Sequence, residues 1–245
     1  MAFDGIVVAD LVHELRKELL NGRIARIVQP EPDELLITVK TPEGQKRLLI
    51  CADASLPLVY LTDVNKPAPM SAPNFCMLLR KHIGNGRITD ISQPKLERII
   101  RFTIEHLDEM GDLCRKLLIV EIMGKHSNII FCTEDGRIID SIKHVSAQMS
   151  SVREVLPGRE YFIPDTMHKA DPLTVSRENF AALLTEKPAP VSKALYTSFT
   201  GISPVTAEEI CSLAGLDSSI PAREYSEDIL FHPVSYTHLR AHETC

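Results

Sequence analysis

The sequence predicts an α+β fold, a strand-rich module followed by a helical segment. Three observations carry this expectation. Short apolar or alternating runs recur between residues 23 and 144, divided by Gly, Pro, Asn and Asp. Two stretches with the spacing of a single buried helical face interrupt that pattern. From residue 165 onward the strand signals stop and only helix signals remain.

The elements follow in order. Asp4 is placed to cap a helix over about 6–20, with Val8, Leu11, Val12, Leu15 and Leu19 on one face and Gly22 as its stop. Strands are expected at Arg23–Gln29, Glu34–Lys40 and Arg47–Cys51, the last two flanking the hairpin signal Thr41-Pro42-Glu43-Gly44-Gln45. A short strand at Leu58–Thr62 precedes the Pro-rich loop 66–74. Pro73 opens a second helix, Asn74–Ile83, stopped by Gly84 and Gly86. Strands are then expected over 87–92, 98–106, 113–122, 128–133 and 137–144, and Pro157-Gly158 and Tyr161–Pro164 close the module. The first domain is thus read as 1–164.

Residues 165–233 read as helical. Helices are expected at Val175–Leu184 and Pro190–Phe199, and a third runs to about 214 with Ser203 as N-cap and Pro204 at its first position. Gly201 in the turn before it makes the pair helix-hairpin-helix-like. Such a turn can offer backbone N–H groups to a phosphate, but Glu208 and Glu209 make the local charge acidic, which favours a packing role.

Bulk composition narrows the function classes. Six cysteines stand singly at 51, 76, 114, 132, 211 and 245, so no metal or redox spacing exists, and Cys51, Cys76, Cys114 and Cys132 read as core thiols. No apolar run approaches the roughly 20 residues of a membrane helix, and no signal peptide is visible, so a cytoplasmic protein is expected. The net charge of -6 is uneven: residues 1–164 carry -1 and residues 165–245 carry -5. Any contact with nucleic acid must therefore come from a local patch.

Two polar knots stand out. The first is Gln93-Pro94-Lys95-Leu96-Glu97-Arg98-Ile99-Ile100, where Glu97 and Arg98 interrupt an apolar run. They read either as a surface ion pair or as a polar site for RNA, since Arg binds phosphate in a bidentate fashion and stacks on bases. The second is Met123-Gly124-Lys125-His126-Ser127-Asn128. It reads either as a turn whose side chains satisfy the local backbone or as a set of RNA contacts. A third segment, Phe75-Cys76-Met77-Leu78-Leu79-Arg80-Lys81-His82, ends in three bases at a helix C-terminus. There they complement the helix dipole and can also meet a phosphate backbone. No nucleophile–base signature occurs, so neither enzyme activity nor a cofactor or metal is expected.

These three strings resemble the N-terminal domain of the RqcH family, long called fibronectin-binding protein A, whose eukaryotic relative is the nuclear export mediator factor. The resemblance spans about residues 1–215. It implies an NFACT-type domain with a fold similar to the formamidopyrimidine-DNA glycosylases, a β-sandwich with helices, and a chain that is part of a longer protein. It further implies a ribosome quality-control factor that binds stalled large ribosomal subunits, contacts their rRNA, and recruits alanyl-tRNA for untemplated alanine tailing. The family's characteristic pair is Asp-Arg at the place of Glu97 and Arg98, and it engages tRNA. The family usually has Met-Gly-Arg-His-Ser-Asn where this chain has Lys125, so Arg's fork is lost there. Lys125, His126, Ser127, Asn128, Arg80, Lys81 and His82 are further RNA-contact candidates. The alternatives are a fibronectin-binding adhesin, which would need export, and a DNA glycosylase, whose Pro-Glu N-terminus and zinc finger have no counterpart here.

The stretch 234–245 follows no structural pattern. Val234–Thr244 resembles the conceptual translation of a transposase-type sequencing adapter and is read as an artefact. His238, His242 and Cys245 are for that reason not read as metal ligands.

Overall fold

The computed structural model describes residues 3–165 and 167–230; the tail expected to be an artefact lies outside them. The chain divides into two compact units. One comprises Glu14–Ser92 and Ile99–Pro164, the other Met1–His13, Gln93–Arg98 and Asp165–Cys245. One break between the units falls after Pro164, and the first turns of the N-terminal helix and the loop 93–98 group with the helical segment.

Helix α1 (Gly5–Leu19) opens the chain, and its predicted stripe of Val8, Leu11, Val12, Leu15 and Leu19 is buried. The sheet unit then runs β1 (Arg23–Val28), β2 (Glu34–Thr41), β3 (Gly44–Cys51), β4 (Leu58–Leu61), α2 (Asn74–Ile83), β5 (Arg87–Ser92), β6 (Ile99–Leu107), β7 (Leu113–Glu121), β8 (Asn128–Thr133) and β9 (Ile138–Ser141). The strands are hydrogen-bonded in the order β4-β3-β2-β1-β5-β6-β7-β8-β9, with every neighbouring pair antiparallel. The central join, β1 to β5, rests on one residue pair, Arg23 with Arg87. Both strands carry a register shift beside it, between Ile24 and Arg26 and between Ile88 and Asp90, and such bulges bend a sheet. The sheet is thus two meanders hinged at a narrow join.

Burial explains why the strands read as apolar runs rather than alternations. Leu35, Leu36 and Ile37 in β2, and Ile129, Ile130, Phe131 and Cys132 in β8, are buried consecutively, so both faces are covered there. Helix α2 buries Phe75, Cys76, Leu79 and Ile83, and packs on β1 and β6. Cys51 and Cys114, expected in the core, are only half buried; Cys76 and Cys132 are buried as expected. Burial pushes the Cys132 thiol up to about 12, which leaves it protonated and inert.

The sheet unit also buries one charge. Glu121 is 1% exposed and pairs with the Arg153 guanidinium, while the Tyr161 hydroxyl donates to its other oxygen at 2.9 Å. Arg153 also lies over the Tyr161 ring, 5.4 Å from its centroid.

The helical unit contains α3 (Arg177–Thr185), α4 (Val191–Ser198), α5 (Pro204–Leu213) and the short α6 (Glu227–Leu230). Phe180 and Phe199 stack at 4.4 Å in its core, among Leu184, Val191, Leu195 and Ile210. Ser176 and Ser203 cap α3 and α5 by accepting from the N–H groups of Asn179 and Thr206.

Replacing Arg153 with Met leaves the Glu121 charge buried without its partner. The expected cost is about 3–5 kcal/mol in urea unfolding, much of it recovered in the double variant Glu121→Gln/Arg153→Met. A single variant within about 1 kcal/mol of the parent contradicts this.

Candidate nucleic-acid interface

The loop Gln93–Arg98 is held by its own turn and by bonds to two other chain segments. Lys95 takes a left-handed conformation (φ 54°), and the Glu97 N–H donates to the Pro94 carbonyl at 3.1 Å, which closes a turn. Leu96 is buried, and its carbonyl oxygen lies so close to Gly5 and Gly201 that a Cβ on either would overlap it. Gly201 also needs its glycine for a φ of +79°. The Gly5 N–H donates to the Gly201 carbonyl at 2.8 Å. The Gln93 side-chain amide donates to the Gly5 and Glu97 carbonyls, both at 2.8 Å. Three chain segments therefore cross at two glycines. Glu97 is left half buried and Arg98 exposed.

A second set of bonds holds the crossing. Asp4 caps α1, accepting from the N–H groups of Ile6 and Val7 at 3.1 and 3.0 Å. The Thr206 hydroxyl donates to its other carboxylate oxygen, and the Thr206 N–H donates to Ser203 Oγ at 3.2 Å. Asp4 thus ties the start of α1 to the start of α5, on either side of the Gly5–Gly201 contact. The packing role expected of the Gly201 turn is what the structure shows.

The charges around the loop are mostly positive. Burial holds the Glu97 carboxyl above its ordinary range, against the pull of Arg98, Lys95 and Lys169, and Asp165 adds to the rise. The Lys169 ammonium is held below the ordinary lysine range, first by burial and then by Lys187, with Glu97 opposing. Lys169 donates to the Tyr196 carbonyl at 2.7 Å, and Lys187 to the Thr197 carbonyl at 3.1 Å. These two lysines were missed in the sequence, where they sit singly in an acidic segment and carry no motif.

The other candidates belong to the sheet unit. Gly124 (φ 57°) opens a single 3-10 turn, Gly124–His126, which leaves Lys125 and His126 exposed. Of the two readings of this string, Ser127 and Asn128 fit the turn whose side chains satisfy the local backbone. Both are buried, and their polar atoms serve the local backbone. Ser127 Oγ accepts from the Met123 N–H at 2.8 Å; Asn128 donates to the Lys143 carbonyl at 2.8 Å and accepts from the N–H groups of Ile129 and Lys143. His82 packs beside Phe131, and burial, followed by the charges of Lys116 and Lys81, lowers its pKa, which disfavours the charged form. Arg80 donates Nε to the Ile27 carbonyl at 2.7 Å but remains exposed, and Lys81 forms an exposed pair with Glu109. No cluster of His, Cys, Asp or Glu fit to hold a metal occurs among the described residues.

A family model for the NFACT N-terminal and middle domains matches residues 4–237. The chain belongs to this family. The Rqc2 homolog RqcH of Bacillus subtilis strain 168 is 38% identical over 221 residues, covering 90% of this chain and 39% of that protein. The ribosome quality control complex subunit 2 of Saccharomyces cerevisiae is 26% identical over 131 residues, covering 53% of this chain and 12% of that protein. The solved N-terminal part of the fibronectin/fibrinogen-binding protein of Streptococcus suis is 35% identical with a TM-score of 0.81, covering 91% of this chain and 84% of that one. That match shows the expected α+β fold. The chain spans about two fifths of the length of the curated bacterial relatives it matches. Among the described residues no helix is long and apolar enough to cross a membrane.

Two outcomes follow for the loop. Gly201→Ala adds a Cβ against the Leu96 carbonyl in a strained conformation, with an expected cost of about 1–3 kcal/mol in thermal unfolding; a melting point equal to the parent's contradicts the crossing. For Glu97, the folded-state pKa lies above the unfolded one, so the folded chain binds the proton more tightly. Its ionisation lowers stability as pH rises from the ordinary carboxylate range to the raised value. Glu97→Gln is therefore expected to melt no lower than the parent at pH 7, and the gap between the two should close at acid pH.

Proposed function

We propose that this chain is the tRNA-engaging part of a cytoplasmic ribosome quality-control factor. The protein binds large ribosomal subunits obstructed by peptidyl-tRNA and recruits alanyl-tRNA, so that untemplated alanines are added to the stalled chain. The ribosome supplies peptidyl transfer; this protein positions tRNA and carries out no bond-making step of its own. The observation that carries the proposal is the 38% identity to an Rqc2 homolog over 90% of the chain.

The geometry suits that role. Arg98 stands exposed on a loop whose backbone is fixed by the Gln93 amide, so binding need not order the loop. Its guanidinium can grip a phosphate bidentately or stack on a base, and the Glu97 carboxylate can accept a hydrogen bond from a ribose 2′-hydroxyl. The family's Asp is one methylene shorter than Glu97, so the reach of that carboxylate differs here.

The test is binding of tRNA and of large ribosomal subunits to the parent and to Arg98→Ala at two salt concentrations. The variant is expected to lose about 1–3 kcal/mol of tRNA affinity, most clearly at low salt, and to keep subunit binding. Parental tRNA affinity in the variant would overturn the assignment of Arg98. The name carried by the S. suis structure favours a second reading, a fibronectin-binding surface protein; labelling of intact cells with an impermeant reagent tests it, and labelled protein at the surface would support it.

A further inference from the structure

Arg98 alone is a small contact for an RNA. We propose that Lys169 and Lys187 extend it into a phosphate clamp for the RNA backbone, with both ammonium groups seated on consecutive carbonyls at the end of α4. This rests on the tRNA-binding reading of the Arg98 site and adds residues to it.

The seating is specific. Lys169 Nζ bonds the carbonyl of Tyr196 at 2.7 Å and Lys187 Nζ that of Thr197 at 3.1 Å. Neighbouring carbonyls at a helix end bring two like charges side by side. The partial negative charge of a helix C-terminus favours each of them, yet it amounts to about half a unit and leaves net positive charge. The backbone beneath is fixed as well. The Ala170 N–H donates to the Ser198 carbonyl and the Thr200 N–H to the Ala170 carbonyl, both at 2.9 Å, so residue 170 runs as a short bridge beside Phe199. Lys169 is held by its main chain and by its tip.

The patch is short of negative charge. The charges of Lys95, Arg98 and Lys169 act on Glu97, that of Lys187 acts on Lys169, and Asp165 is the other carboxylate that acts on Glu97. Among the described residues none of Lys95, Arg98, Lys169 and Lys187 has a carboxylate within ion-pair distance. Four cations without an ion-pair partner, near two carboxylates of which Asp165 already pairs with His168 at 3.5 Å, leave a surplus of positive charge that suits an anionic ligand. The mixture also fits a nucleic-acid backbone: ammonium groups meet phosphate oxygens as point charges, while Arg98 supplies the directional fork. Half-burial of Lys169 strengthens its contact with an arriving phosphate, because less water screens it.

The experiment measures binding of deacylated tRNA to the parent, Lys169→Gln, Lys187→Gln, the double variant and Arg98→Ala, between about 50 and 200 mM salt, with a melting curve for each. Each lysine variant is expected to bind roughly threefold to tenfold more weakly at the low-salt end. Each should flatten the slope of log affinity against log salt by about one unit, and the double variant by about two. Lys169→Arg and Lys187→Arg should restore binding. If a Gln variant melts well below the parent, Lys169→Met, which keeps the aliphatic stem on the Tyr196 side, replaces it. Parental affinity and slope in the lysine variants, with Arg98→Ala weakened, overturns the clamp and leaves the Arg98 reading standing. Parental behaviour in all of them overturns both. Competition by millimolar inorganic phosphate that removes tRNA entirely would identify a free anion as the ligand and also overturn the proposal.

Discussion

The approach of the Leu96 carbonyl to Gly5 and Gly201 is the constraint on which the functional end of this chain depends. A loop between two strands would ordinarily be mobile. Here it is clamped because two glycines admit a backbone where any other residue would collide with it. Gln93 bonds across the crossing, and Asp4, Ser203 and Thr206 tie the helix starts beside it. The consequence is positional. With Leu96 buried as an anchor and Lys95 in a left-handed turn, the backbone that carries Glu97 and Arg98 is held in place.

A second principle separates the candidate sites. A polar side chain whose hydrogen-bonding capacity is filled by the backbone is structure; a charge without a partner is available. Ser127 and Asn128 fall on the first side, as does Gln93. Arg98, Lys169 and Lys187 fall on the second: although both lysines rest on carbonyls, their charge is not cancelled. This distinction also resolves the charge balance of the chain. The segment from 165 onward is acidic as a whole, yet it delivers Lys169, which acts on Glu97, and Lys187, which acts on Lys169. Net charge describes solubility and long-range steering; recognition depends on where a few groups are placed.

Much of the fold was legible in the sequence. Helix α2 begins and ends where Pro73 and Gly84 indicate, and the buried stripe of α1 follows its apolar spacing. These are local signals: caps, breakers and periodicity. The non-local features were not legible. Nothing in Gly5 or Gly201 announces that they meet, and nothing at Leu96 announces that its carbonyl fits between them. Thr206 as a partner of Asp4, 202 residues away, has no signature either. The site was half visible for the same reason. Glu97 and Arg98 break an apolar run and so attract attention, whereas Lys169 and Lys187 gain meaning only from the carbonyls of α4. The knot at 123–128 carried two readings in the sequence, and only the hydrogen bonds of Ser127 and Asn128 to their own turn show how those two side chains serve the backbone.

Under the proposal, the pinned loop and the two lysines seated on α4 carbonyls, Lys169 and Lys187, face the RNA. Acetylation footprinting of the chain with and without saturating tRNA, read by mass spectrometry, addresses it residue by residue. The account predicts that tRNA shields Lys95, Lys169 and Lys187 while Lys40 and Lys46 on the sheet unit react as before. Undiminished reaction at Lys95 and Lys169, with protection appearing at Lys81 and Lys125 instead, would contradict it and move the interface to the sheet unit.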